Sequence, residues 1–129
     1  MSYKWNFHDQ FAKEFKNFPK DQQDKILDFI EVYELHGLRD FNAYEGKVGP
    51  SYKTNDPTSR QYALAHSLWH YHIGIPTYRQ SLGGYKTSDW VLHFQWFKSE
   101  NYIVLVDLYY HYKSDGTFYL PPSGSLFIV

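Results

Sequence analysis

Three histidines in one apolar stretch of the chain are separated by even numbers of residues. Leu64–Ile73 contains His66, His70 and His72, and the side chains of a β-strand alternate between its two faces. We therefore expect the three imidazoles to share one face of a strand. Imidazole has an ordinary pKa of about 6.5, so it can take up or release a proton near neutral pH. This spacing predicts a site for proton transfer.

Two later stretches also read as strands, and each adds a histidine to the less apolar face. They are Asp89–Phe97 and Tyr102–Tyr112. The side chains predicted to face the core are Trp90, Leu92, Phe94, Trp96, Val104, Val106 and Leu108. The side chains predicted on the opposite face are His93, Gln95, Asp107, Tyr109 and His111. A sheet of this kind has one apolar face and one face rich in His and Tyr, which suits acid–base chemistry and base stacking.

The rest of the chain predicts the elements that carry these strands. A short strand over residues 3–8 precedes a helix that Asp9 caps, and a second helix runs from Pro19 to Gly37. Residues 39–60 are polar and predict an extended loop with room for one short strand. The fold class is therefore α+β, with two N-terminal helices packed on one face of a twisted antiparallel sheet. A C-terminal extension, residues 113–129, either adds an edge strand or folds back onto the core.

Composition limits the class of protein. The chain has 129 residues, 43% of them hydrophobic and 21% aromatic, with no cysteine and a formal net charge of -1. We expect one globular domain over residues 1–129. The lack of disulfides, signal peptide and long apolar run favours a cytoplasmic protein without a membrane segment. The net charge argues against nucleic-acid binding through bulk charge, which leaves a local basic patch as the alternative.

The order of elements resembles the RelE/ParE superfamily of bacterial toxins from type II toxin–antitoxin pairs. Within it, residues 70–95 look most like the YafO family. The matching segments are His70-Tyr-His72, Lys86-Thr-Ser-Asp89, Val91-Leu-His-Phe94 and, like the C-terminal His-Tyr of the YoeB branch, Tyr110-His-Tyr112. The chain departs from the superfamily in its slightly acidic charge and in its extension.

The resemblance implies cleavage of messenger RNA on the ribosome without a metal ion or cofactor, by attack of the 2′-hydroxyl on the adjacent phosphate. The catalytic residues it implies, together with strand alternation, are His70, His72, Lys86, His111 and Tyr112. The residues predicted to contact RNA are Arg79, Tyr78, Tyr85, Lys47 and Lys53. The implied partners are a cognate antitoxin, the ribosome and mRNA, and a homodimer is left open.

Other interpretations of the same residues stand beside this one. The protein could be a ParE-like gyrase inhibitor or a degenerate toxin that only binds an antitoxin. His70 and His72 could be ordinary polar residues of a half-exposed sheet, and His93 is more readily explained as structural. The pair His70-x-His72 could also begin a metal site, with His66, His93 or Asp107 as third ligand.

Overall fold

The first half of the chain alternates helices with short strands, and the second half is mainly β-structure. The computed structural model describes residues 2–80 and 85–127. In chain order the elements are β1 (Lys4–Phe7), α1 (Asp9–Phe15), α2 (Lys20–His36), β2 (Val48–Pro50), α3 (Pro57–Ala65), β3 (Leu68–Ile75), β4 (Arg79–Gln80), β5 (Lys86–Thr87), β6 (Trp90–Phe97) and β7 (Tyr102–Tyr110).

Five strands form the main sheet in the order β1-β7-β6-β3-β2, and β4 pairs with β5 beside it. The β2–β3, β3–β6 and β6–β7 pairs are antiparallel, whereas β1 lies parallel to β7. The predicted α+β class is confirmed, with a sheet that is mostly rather than wholly antiparallel. No short turn joins β1 to β7, so nothing local imposes the antiparallel direction of a hairpin on that pair.

Helices α1 and α2 cover one face of this sheet, as predicted. Phe11 of α1 and the buried stripe of α2 pack against strand residues that all point to the same face. The strand residues in this core include Trp69, Tyr71, Ile73, Leu92, Phe94, Ile103, Leu105 and Leu108. The alternation predicted for β3 and β6 is therefore confirmed, and it directs His70, His72 and His93 away from the helices.

The strand β7 departs from simple alternation. His93 pairs with Asp107 but the next residue, Phe94, pairs with Leu105, so Val106 is an extra residue in the ladder. Such a β-bulge resets which side chains face each way. Val104 and Val106 consequently pack in a second cluster on the far face, and their prediction as core residues of the helical face was wrong. The bulge leaves Leu108 facing the helices, and His111 lies beyond the strand's end.

The segment predicted as a loop contains more regular structure than expected. Helix α3 starts after Asp56, whose carboxylate accepts a hydrogen bond from the backbone N–H of Ser59 at 3.0 Å. His66 is the C-cap of α3, so it does not lie on β3 as predicted. The first cap also differs from the prediction, because His8 rather than Asp9 caps α1.

The C-terminal extension folds back onto the sheet, where Leu126 packs with Val104 and Val106 in the second cluster. Its backbone at Phe127 exchanges two hydrogen bonds with the Gln95 side chain, at 2.7 and 2.9 Å. The hydroxyl of Tyr62 on α3 donates to the carbonyl of Pro121 at 2.6 Å. Parts of two predicted segments, residues 81–84 of the glycine-rich loop and residues 128–129 of the C-terminal extension, lie outside the described residues. In the described chain, no helix has the length and apolar character needed to cross a membrane.

Candidate active site

A cleft of about 810 Å³ lies between the β2 segment, the end of β7 and the C-terminal extension. The predicted site residues in its lining are Lys47, Lys53, His70, Tyr85, Lys86, His111 and Tyr112. Strand pairing explains this convergence, because Gly49 of β2 pairs with His70, and His70 pairs with His93 of β6. The cleft therefore has histidines along its sheet side and lysines at its rim.

Three imidazoles from two strand segments meet beside this cleft. The ring centroids of His70 and His111 are 4.5 Å apart, those of His72 and His111 are 5.1 Å apart, and those of His70 and His72 are 5.5 Å apart. The backbone N–H of His111 donates to the carbonyl of Asp89 at 2.9 Å, which fixes the chain where β7 ends. The predicted grouping of these three histidines is thus present in the structure.

Each of the two strand histidines has a fixed partner on its Nδ1 atom. The hydroxyl of Ser51 lies 2.9 Å from Nδ1 of His70 in a buried setting. Nδ1 of His72 lies 3.0 Å from both the backbone N and the carbonyl O of Ser88, so its tautomer decides which of these bonds forms. These contacts orient the rings, so that each Nε2 can take part in proton transfer. His70 and His72 are 8% and 5% exposed, which argues against ordinary polar residues of a half-exposed sheet.

The environment keeps these imidazoles uncharged. Burial lowers the pKa of His70 well below its ordinary value, and the nearby His111 and His72 lower it further. Burial likewise lowers the pKa of His72, against an opposing effect of its bond to Ser88. Burial and the neighbouring His72 and Lys47 lower the pKa of His111 to about 4. Neutral imidazoles at pH 7 can accept protons, which is the state that a general base needs.

His93 is the deepest histidine of the cleft, at 1% exposure. Burial, with a smaller effect of His111, lowers its pKa to about 3. The backbone of Tyr110 favours the charged ring only weakly, and neither ring nitrogen reaches a partner at hydrogen-bonding geometry in the described part of the chain. Tyr119 covers it, with ring centroids 5.3 Å apart. This placement agrees with the structural interpretation of His93.

Two lysines stand at the rim in different surroundings. The ammonium group of Lys86 lies 3.3 Å from a carboxylate oxygen of Glu45. The ammonium group of Lys47 lies 5.2 Å from the centroid of the Tyr85 ring. Its charge lowers the pKa of His70, His72 and His111. Backbone bonds hold both lysines in place, because the N–H of Lys47 donates to the carbonyl of Lys86 at 3.0 Å. Lys47 is therefore the cation that acts most directly on the histidines.

Aromatic rings from three separate parts of the chain complete the cleft. Tyr112 lies beyond the end of β7, pairs with Phe118 through an isolated bridge and is 53% exposed. Phe118 lies nearly parallel to the rings of both His111 and Tyr112, with centroids 5.0 and 5.1 Å away. Tyr85, 51% exposed, lines the cleft on the other side. Exposed aromatic faces of this kind can stack on nucleotide bases.

Two of the predicted RNA contacts lie outside the lining of the cleft. Arg79 forms an ion pair with Asp89 at 2.7 Å. Tyr78 is half-buried, and its hydroxyl lies 3.1 Å from that of Tyr71. A Cβ atom at Gly74 or Gly46 would collide with the Tyr78 ring, so this ring is packed against the backbone. Neither side chain lines the cleft, although the charge of Arg79 contributes to the lowered pKa of His72.

The residues that complete a metal-ligating group also differ from those proposed from the sequence. His70, His72 and His111 each offer one ligand atom, all within 4.8 Å of one another. His66 caps α3 instead, and Asp107 accepts a hydrogen bond from the Tyr119 hydroxyl.

Sequence analysis missed Ser51, Ser88 and Phe118 as members of the site. Ser88 lies within the quoted Lys-Thr-Ser-Asp segment, whereas no sequence pattern singles out Ser51 or Phe118.

Comparison with solved structures places this chain in a known fold. It is similar to the archaeal RelE–RelB complex from Pyrococcus horikoshii OT3, with a TM-score of 0.50 and 16% sequence identity over 85% of this chain and 96% of that chain. The protein has a RelE-like fold. No protein-family model and no curated protein matches the sequence. The likeness supports the predicted architecture, and the finer resemblance to YafO toxins stays a prediction.

Proposed function

We propose that this protein is the toxin of a type II toxin–antitoxin pair, of the RelE/ParE superfamily and most like its YafO members. Its proposed activity is ribosome-dependent cleavage of mRNA in the cytoplasm, without a metal ion. The observation that carries the proposal is the meeting of His70, His72 and His111 beside a cleft with cationic and aromatic walls. The RelE-like fold is the expected scaffold for such a site.

The proposed reaction needs a base for the 2′-hydroxyl, an acid for the 5′-oxygen and cations near the phosphate. We assign the base to His111, which is the least buried of the three imidazoles and is neutral at pH 7 because its pKa is about 4. It takes the 2′-proton while the 2′-oxygen bonds to phosphorus. The bond from phosphorus to the 5′-oxygen then breaks, and cyclic phosphate and a free 5′-hydroxyl result.

The acid is assigned to His70, with His72 beside it. Their lowered pKa values oppose protonation in the free protein, but a bound phosphodiester brings a negative charge that favours the imidazolium form.

Lys47 and Lys86 at the rim are the proposed phosphate contacts, with Lys53 along the same wall. Tyr85 and Tyr112 are proposed to stack on bases, and Tyr112 closes the site beside His111. Arg79 and Tyr78 are proposed contacts further from the histidines.

Local charge answers the objection raised by the net charge of -1. Lys47, Lys53 and Lys86 line one cleft, where the acidic residue in the lining is Glu45. A phosphate backbone responds to the charge near it rather than to the protein's total. The proposed partners are the ribosome, mRNA and an antitoxin protein. The similar RelE was crystallised with RelB, which supports the antitoxin as a partner.

Translation in a purified ribosomal system tests the proposal, with primer extension to locate cuts in the mRNA. We expect cuts within codons at the ribosomal A site with the unaltered protein. His111→Ala and His70→Ala should each reduce the cleavage rate roughly 10²–10⁴-fold. His36→Ala is the matched control, because His36 is exposed at the end of α2. A protein that stops growth equally well without His70 or His111 would instead act as a gyrase inhibitor or another non-catalytic binder.

A further inference from the structure

The three imidazoles that form the proposed nuclease site also approach the arrangement of a metal site. One ring nitrogen from each of His70, His72 and His111 lies within 4.8 Å of the others. Tetrahedral zinc with bonds of about 2.0–2.1 Å to nitrogen needs ligand atoms about 3.3 Å apart. Metal binding would draw the three rings closer together, and two of the rings come from the same strand face, at positions separated by one residue.

The contacts at Nδ1 of His70 and His72 are compatible with metal binding through Nε2. Histidines that bind metals commonly donate the other ring N–H to a hydroxyl, carbonyl or carboxylate group. Ser51 Oγ lies 2.9 Å from Nδ1 of His70, and the Ser88 carbonyl lies 3.0 Å from Nδ1 of His72. In the tautomer that donates from Nδ1 to these oxygens, Nε2 carries the lone pair. A metal ion at Nε2 would select that tautomer.

The three imidazole nitrogens limit which metal ions the site can bind. Three neutral imidazoles suit Zn²⁺ and the late first-row metals, whereas Mg²⁺ and Ca²⁺ prefer oxygen ligands. His111 borders the cleft, so a fourth coordination position would face solvent rather than a fourth side chain. This is the geometry of an exchangeable ion rather than of a closed structural site.

We propose that His70, His72 and His111 bind one Zn²⁺ ion, and that the bound ion inhibits the site. The inhibitory half of this inference rests on the proposed function. A ring nitrogen whose lone pair binds a metal cannot accept a proton. Zinc occupancy would thus hold the nuclease in an inactive form that a chelator reverses.

Titration of the full chain with Zn²⁺ and with Co²⁺ tests the binding half, by calorimetry and by the visible absorption of Co²⁺. We expect one ion per chain. His111→Ala and His72→Ala should weaken binding roughly 100-fold or more, since even the outer partners of metal ligands contribute 10–100-fold. His111→Gln provides a second, polar replacement at the least buried ligand, and His36→Ala controls for exposed histidines. Failure to bind one ion, or binding unchanged in both His111 variants, would overturn the proposal.

The cleavage assay tests the inhibitory half. With free Zn²⁺ at ten times the Kd found in the titration, the unaltered protein should lose about 90% of its cleavage rate, because about 90% of the sites are then occupied. A chelator should restore the rate. A rate unchanged or increased by bound Zn²⁺ would overturn the inhibitory half. If the protein cuts no mRNA even after chelation, the proposed function fails, while the titrations still decide whether the metal site exists.

Discussion

The imidazole of His111 lies against the phenyl ring of Phe118, with ring centroids 5.0 Å apart and planes 25° apart. His111 follows the last residue of β7, so the strand ladder does not fix its side chain. The backbone carbonyl of His111 accepts a hydrogen bond from the N–H of Tyr119 at 3.0 Å. The extension therefore supplies both the backbone contact and the ring that position the proposed base.

Phe118→Ala should reduce cleavage by His111 without unfolding the protein. Loss of the ring frees the imidazole to leave its productive position, and a displacement of about 1 Å can cost about 10²-fold in rate. Phe118→Tyr keeps the aromatic face and should keep most of the activity. Single-turnover cleavage rates measure the effect. Phe127→Ala, an exposed aromatic residue of the same extension, is the control. Equal rates for Phe118→Ala and the unaltered protein would refute a positioning role.

Ser51→Ala should affect both stability and catalysis through His70. The substitution leaves Nδ1 of this buried ring without its 2.9 Å partner, and an unpaired buried polar group costs about 1–3 kcal/mol. We expect that loss in the free energy of unfolding, measured with urea. We also expect a roughly 10-fold lower cleavage rate, since the ring's tautomer is no longer fixed.

Ser99→Ala is the matched control for Ser51→Ala, because Ser99 is exposed on the turn after β6. It should leave both measurements unchanged. A pH profile of the cleavage rate separates the two effects of Ser51. A change in stability with an unaltered rate and profile would show that Ser51 serves folding only.

Lys47→Ala should impair cleavage more than Lys86→Ala. Lys47 acts on all three histidines, whereas Lys86 is paired with Glu45. We expect a loss of about 10²-fold for Lys47→Ala, comparable to removal of a group that stabilises transition-state charge, and a smaller loss for Lys86→Ala. Removing the Lys47 charge should also raise the pKa values of the histidines, so the acid limb of the pH–rate profile should move to higher pH.

The control for this pair is Lys13→Ala, because Lys13 is an exposed residue of α1 that does not line the cleft. It should leave the cleavage rate and its pH profile unchanged. Rates should be compared at one salt concentration, because contacts to phosphate weaken as salt rises. A larger loss for Lys86→Ala than for Lys47→Ala would assign the phosphate contact to Lys86, as the sequence resemblance implied.

Strand alternation predicted the grouping of His70, His72 and His111, but it wrongly added His66, which caps α3. It placed His70 and His72 on one face of β3, and the same rule placed His111 opposite Leu108. It failed at Val104 and Val106, because a bulge depends on how β7 pairs with β6 and leaves no mark in the apolar pattern of β7 itself. The failure did not reach the site, since the predicted direction of His111 was correct on the far side of the bulge.

Helix α3 is the opposite case, because its sequence carries a signal for the start of a helix. Asp56-Pro57-Thr58-Ser59 places a capping residue directly before proline, which is typical of a helix start. The polar sequence that follows has only Ala63 fully buried, so hydrophobic periodicity could not show it. The contacts of Ser51 and Phe118 could not be predicted either, because they depend on tertiary pairing between segments far apart in the chain.

His93 should make the stability of the protein depend on pH. Its pKa is about 3 in the folded protein, against the ordinary 6.5, so unfolding takes up a proton over the interval between those values. The contribution of His93 to the free energy of unfolding is fully present above pH 6.5 and falls as the pH drops toward 3. His93→Leu removes the titration, and the slope of unfolding free energy against pH should fall by about 1.4 kcal/mol per pH unit near pH 4–5.5. Urea unfolding with a chelator present measures both slopes. His36→Leu, at an exposed position, should keep the original slope, and an unchanged slope in His93→Leu would contradict the burial of a neutral ring.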